Sequence, residues 1–141
     1  RGLSTIVGEE IGWRGFLVWE LRKVMPFGKV SLVSGLIWSS FHWPLIIYFG
    51  DGNPLIQIAF FTIMVVSMSV MMAYFTFRSG SMWPAILFHG AHNIFILDFF
   101  TDVTIETETS TFWAGEYGLM IAIVTALFAG IFLSKAKAQG L

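Results

Sequence analysis

Three short patterns in the chain gather residue types that can activate water. The first is Gly8-Glu9-Glu10-Ile11-Gly12-Trp13-Arg14-Gly15. On a helix, Glu10 and Arg14 stand at i and i+4, the favourable order for an ion pair. Glu9 projects about 100° away from Glu10 and is left without that partner. The second pattern is Trp38-Ser39-Ser40-Phe41-His42-Trp43-Pro44, and the third is His89-Gly90-Ala91-His92-Asn93. His89 and Asn93 share one helical face, with His92 on it or beside it. A carboxylate and a neutral imidazole can jointly take a proton from water, making a nucleophile without cysteine or serine. A second histidine and an asparagine amide are donors suited to a developing oxyanion. Arg14 would pair with Glu10 and fix its geometry. That set of groups suits hydrolysis of a peptide bond by an activated water.

Each pattern also has a structural reading. Gly8, Gly12 and Gly15 thin one helix face and let another backbone or a substrate approach closely. Glu10–Arg14 would then be a buried tie, although two adjacent carboxylates exceed what one arginine needs. His42 alone can be an interhelical hydrogen bond, and Pro44 would bend its helix and free carbonyls nearby. His89 and Asn93 can be polar glue between helices. His92 reads as structural rather than catalytic.

The elements that must position these residues belong in a bilayer. The chain has 141 residues, of which 56% are hydrophobic and 12% charged, about half of the roughly 25% charged residues usual in soluble proteins. Mean hydropathy is +0.76. Eight basic and nine acidic side chains cannot coat a water-soluble fold of this size. A cytosolic globular domain, a nucleic-acid binder and a disordered tail are excluded on that ground, and the net charge of −1 creates no field that would draw a charged partner. There is no cysteine, so neither disulfides nor thiolate chemistry is available. Apolar runs at 30–49 and 55–77 reach the roughly 20 residues that cross about 30 Å of hydrocarbon. A further span is expected at 112–133, interrupted by Glu116 near its start. Runs at 4–24 and 83–100 are more polar and suit lipid only with their polar faces turned inward. The expected architecture is all-α, a polytopic transmembrane bundle of about five helices forming a single integral-membrane domain over 1–141.

Charge placement supports this threading. Arg22, Lys23 and Lys29 follow the first span, Arg78 the third, and Lys135 and Lys137 the last. Asp51 and the acidic stretch Asp98, Asp102, Glu106 and Glu108 occupy the alternate connections. The positive-inside rule then puts the basic connections in the cytoplasm. Turn clusters at 25–28, 50–54 and 79–81 separate the spans. At 1.5 Å per residue, Glu10 lies about 18 Å from Arg22, His42 about 18 Å above Val30, and His89 and Asn93 about 9 and 15 Å above Trp83. Three helices can therefore focus the three patterns into one polar cavity.

Glu9-Glu10-x-x-x-Arg14, an aromatic-x-x-x-His at Trp38–His42, and His89-x-x-x-Asn93 together resemble the three motifs of the CPBP (Abi) family. These are the CAAX-protease and bacteriocin-processing intramembrane glutamic endopeptidases. The resemblance covers about residues 1–100. It implies an all-helical membrane bundle, usually of about eight helices, so further helices are expected upstream of a chain that begins at Arg1 without Met. It also implies that Glu9 and His42 activate water, that His89 and Asn93 form the oxyanion hole, and that Glu10 with Arg14 shapes the site. The second motif usually begins with Phe, whereas Trp38 stands here. No cofactor is expected; the expected partners are membrane lipids and a peptide or prenylated-protein substrate.

Two other readings follow from the same residues. Two Glu and three His can bind zinc, although HExxH is missing and Arg14 disfavours a cation. Intramembrane Glu and His also serve proton or ion pathways, and the resembling family includes bacteriocin self-immunity proteins. Short, loop-poor helices suit a prokaryotic plasma membrane.

Overall fold

Helix signals in the chain become six helices among the residues described by the computed structural model, which are 2–50, 52–105 and 107–141 without the side chain of Glu108. The sequence expectations that fall on Arg1, Asp51 and Glu106 lie outside the described residues. Helix α1 (residues 3–22) is α-helical over Leu3–Glu10 and Val18–Arg22 and widens to a π-helix over Ile11–Leu17. Next come α2 (Phe27–Phe49) and α3 (Pro54–Ser79). Helix α4 (residues 83–103) is α-helical over Trp83–His92, π-helical over Asn93–Phe100 and α-helical again over Thr101–Val103. The short α5 (Glu108–Trp113) and the long α6 (Leu119–Ala138) complete the bundle. No strand occurs among the described residues.

Local chemistry sets these limits. Asn53 caps α3, its side chain accepting from the amides of Leu55 and Ile56 at 3.0 and 3.3 Å, and Pro54 occupies the first turn, where no donor is needed. Gly80 ends α3 in the left-handed region at φ 67°. Thr107 and Ser110 form a reciprocal cap on α5.

The last span differs from its expected place. Hydropathy reads 112–133 as one run, but α5 stops at Trp113 and α6 starts only at Leu119. Between them Gly115 adopts φ 81°, and Gly118 is extended with ψ 155°. Both conformations interrupt an α-helix, and hydropathy does not register backbone conformation. The shift carries Lys135 and Lys137 into the last turn of α6 rather than beyond it.

Three helices, α2, α3 and α6, are long and apolar enough to cross a membrane. The most apolar stretch of α3 is 56% buried, against 39% for α2 and 22% for α6, so α3 is the central helix. It packs against α1, α2, α4 and α6. Its inward side chains, among them Phe61, Met64, Met68 and Met72, join Trp38, Ile46 and Ala85 in the main core. The outer faces carry exposed apolar residues such as Leu127, Phe128 and Ile131 on α6. That is the surface a helix presents to lipid. The protein is an all-α integral membrane bundle.

Helix pairing collects the basic residues at one end. Trp19 of α1 and Phe27 of α2 both meet Phe77 of α3, with ring centroids 4.8 and 6.2 Å apart, and Tyr74 donates to Gln139 at 2.9 Å. Arg22, Lys29 and Arg78 follow Trp19, Phe27 and Phe77 within three residues, and Lys135 lies one turn before Gln139.

The glycines behave differently from expectation. A Cβ built at Gly8 or Gly12 meets nothing within 4 Å, and one at Gly15 meets only the Met82 sulfur and the Glu10 carbonyl. The thinned face of α1 is thus not a helix crossing among the described residues. The close crossing is at Gly35, where an added Cβ would lie 2.7 Å from Val66 Cα. Gly35→Ala is therefore expected to force α2 and α3 apart and lower stability by about 1–3 kcal/mol, the usual penalty for overpacking. Gly12→Ala should be neutral or slightly stabilising. Thermal unfolding in detergent checks both, and equal melting temperatures for the two variants would contradict the crossing.

Candidate active site

Helix α1 delivers Glu9, Glu10 and Arg14 at the point where it widens. Glu10 and Arg14 are fully enclosed, 0% and 1% exposed. Arg14 Nη1 donates to Glu10 Oε1 at 3.0 Å, as their i,i+4 spacing predicts. Its other terminal nitrogen reaches the Ser69 hydroxyl on α3 at 3.4 Å, and Ser69 bonds Ser34 of α2 at 2.9 Å. The guanidinium lies over the Trp38 ring, with Cζ 4.3 Å from the ring centre. One cation thus ties α1 to both α2 and α3. A charge at membrane depth is tolerated only when paired in this way.

Trp38 is the common neighbour of the site. Its indole N–H donates to Glu9 Oε2 at 3.3 Å, so the carboxylate that lacks Arg14 as partner is held from α2 instead. Its main-chain carbonyl meets His42 Nδ1 at 3.1 Å. A carbonyl only accepts, so Nδ1 carries the hydrogen and Nε2 of a neutral ring keeps its lone pair. The Trp38 ring also stands edge-on to His89, with centroids 5.2 Å apart.

His89 enters from α4, where its Nδ1 lies 2.9 Å from Glu10 Oε1. Glu10 thereby bridges Arg14 and His89 through a single oxygen. Asn93, one turn on, is buried at the start of the π-helical stretch. Widened turns are frequent at functional sites, and here one follows Glu10 and the other begins at Asn93. His42, His89, His92 and Asn93 line one cavity of roughly 20 Å³, walled by Trp38, Phe61 and Met64. That is room for about one water.

Of the expected residues, His42, His89 and Asn93 border the cavity. Glu10 and Arg14 do not line it and connect to it through His89, and Glu9 connects through Trp38. Among the described residues, no three His, Asp or Glu side chains come together in a way that could hold a metal ion. Sequence reasoning misses three participants. Ser34 and Ser69 are legible only as polar residues in apolar spans, and Glu116, which also lines the cavity, reads as an interruption of the last span.

Comparison with protein-family models matches residues 1–95 to the type II CAAX prenyl endopeptidase, Rce1-like family. The chain belongs to this family. The matched region holds all three motifs, and the general class of the protein is that of a CAAX-type intramembrane protease. No curated protein and no solved structure matches the chain. Within the family's pattern, Trp38 has a consequence that phenylalanine would not, since only the indole offers Glu9 a donor.

Proposed function

We propose that this Rce1-like protein is an intramembrane endopeptidase that hydrolyses a peptide bond of a membrane-associated or prenylated CAAX-type substrate, using water activated by Glu9 and His42. The observation that carries this reading is the bond between His42 Nδ1 and the Trp38 carbonyl, which leaves Nε2 as an acceptor on a residue lining a water-sized cavity. Trp38 holds Glu9 and His42 from one side chain and one carbonyl, and so couples the two groups of the base. Water gives up a proton to this pair as its oxygen attacks the scissile carbonyl. The carbonyl oxygen gathers negative charge and is met by the Asn93 amide and by His89 Nε2, which donates when the ring carries both protons. The proton then passes to the leaving amine as the C–N bond breaks.

The test uses full-length protein in detergent or nanodiscs with matched prenylated and unprenylated peptides. Wild type is expected to cleave at least one of the pair, and a chelator should leave the rate unchanged. His42→Ala should lower kcat/KM about 10²–10⁴-fold, the usual contribution of a general base. Activity lost to a chelator and restored by zinc would replace the glutamic mechanism with a metal one. Protection of cells from a peptide toxin, without cleavage, would make the protein a binding member of its family.

A further inference from the structure

The Trp38 ring is fixed from several sides. It is 4% exposed and packs in the main core with Ile46, Phe61 and Met64. The Arg14 guanidinium lies over it, and the rings of His42 and His89 make T-shaped contacts with it, with centroids 6.3 and 5.2 Å away. A ring enclosed in this way has little choice about where its N–H points. A buried indole N–H needs an acceptor, and here the acceptor is Glu9 Oε2 at 3.3 Å.

Glu9 has no comparable support of its own. It is half-buried, and among the described residues it accepts no other hydrogen bond. Gly8 and Gly12, beside it on α1, give it no side chain to pack against, and a Cβ built at either meets nothing within 4 Å. A glutamate in such surroundings would sample several staggered rotamers, and holding it in one costs side-chain entropy. Glu9 does not border the water-sized cavity, whereas Trp38 does. The bond to the indole therefore decides how the carboxylate is presented to that cavity. It occupies one oxygen and leaves Oε1 to take a proton. Phenylalanine, usual at the start of this motif, would fill the place of the ring without supplying a donor.

We propose that Trp38 is a positioning residue for the reaction: its indole N–H fixes Glu9 in the orientation that serves as base, so that the donor atom, and not only the ring, sets the rate. The proposal rests on the peptidase reading of Glu9 and His42.

The test separates the donor from the ring. Benzothienylalanine keeps the shape of tryptophan but has sulfur where the indole has N–H. The full chain carrying it at position 38, in phospholipid nanodiscs, is expected to melt at the wild-type temperature and to keep its KM. Its kcat should fall at least about tenfold, the rate equivalent of one hydrogen bond to a charged group. Trp38→Phe should lower kcat at least as far. The contact itself is read without turnover. In protein made with isotope-labelled tryptophan, the Trp38 indole N–H resonance is the one of six that Trp38→Phe removes. Glu9→Ala takes away its acceptor and should move it upfield. A resonance indifferent to Glu9→Ala overturns the proposal, as does a loss carried by KM instead of kcat. If the resonance follows Glu9 but wild type cleaves neither prenylated nor unprenylated peptide, the peptidase reading falls and the tie between Trp38 and Glu9 stands. If wild type cleaves and the isostere keeps its kcat, the peptidase reading stands and the positioning role falls.

Discussion

Glu9→Gln is expected to remove nearly all cleavage while leaving the protein folded. The amide retains an oxygen that can accept from the Trp38 indole, the contact that places Glu9 at 3.3 Å in the native protein. What it loses is the ability to take a proton from water. A general base contributes roughly 10²–10⁴ in rate, or about 3–5 kcal/mol of transition-state stabilisation at 1.36 kcal/mol per tenfold. The loss should fall on kcat rather than KM, since Glu9 is not offered as a substrate-binding group. Glu9 and His42 act on the same proton. The double variant Glu9→Gln/His42→Ala should therefore be little worse than either single one, as happens when catalytic residues work as a unit. Initial rates on the cleaved peptide, with melting temperature as a control for folding, check this. A Glu9→Gln protein within several-fold of wild type would remove Glu9 from the mechanism.

Arg14→Met is expected to have the largest effect on stability. Arg14 is 1% exposed, and among the described residues Glu10 is bonded by its guanidinium and by the His89 ring. Removing the guanidinium leaves the Glu10 carboxylate buried and undercompensated, and breaking one side of a buried ion pair typically costs about 3–5 kcal/mol. It also unties α1 from Ser69 and from the face of Trp38. Removing the stranded charge should recover much of the loss, so Arg14→Met/Glu10→Gln should unfold well above Arg14→Met alone. Arg14→Lys should fall between wild type and Arg14→Met, because an ammonium keeps the charge but neither reaches two partners in one plane nor stacks as a guanidinium does. Thermal unfolding of wild type, Arg14→Met, Glu10→Gln and the double variant in one detergent measures the cycle, with Arg14→Lys as a fifth protein. Additive losses for Arg14→Met and Glu10→Gln would show that the pair is not coupled.

Much of this arrangement can be read from residue order, where the interaction is local. The Glu10–Arg14 bond follows from four-residue spacing, and the shared face of His89 and Asn93 from the same period. The lengths of α2 and α3 follow from uninterrupted apolar runs. Contacts that cross the bundle leave no such trace. The bond from Trp38 to Glu9 joins residues 29 apart, Ser34 to Ser69 spans 35, and Arg14 to Ser69 spans 55. Nothing in either neighbourhood announces its partner. Gly8 and Gly12 carry the pattern of a helix crossing but face open space, whereas the close approach is made at Gly35, in the small-residue run Ser31-x-x-x-Gly35-x-x-x-Ser39. The break before α6 escapes hydropathy because it is set by backbone conformation at Gly115 and Gly118, and Glu116 is the one charged residue that marks it in an otherwise apolar run. The widening of α1 and α4 is equally silent: Gly12 and Gly15 in the first stretch read as a thinned packing face, and the second stretch has neither glycine nor proline to mark it.

The π-helical stretch Ile11–Leu17 gives α1 slack in chain length that a regular helix lacks. A wider turn accommodates one residue more than an α-helical turn would. Deleting Gly12 or Gly15 would let α1 close to ordinary pitch with the residues on either side still in register. Val18, completely enclosed, would stay in the core, and Trp19 would keep its contact with Phe77. A one-residue deletion in the regular helix of α3 has no such outlet: everything that follows would turn by about 100°, and side chains such as Met68 and Met72 would leave the core.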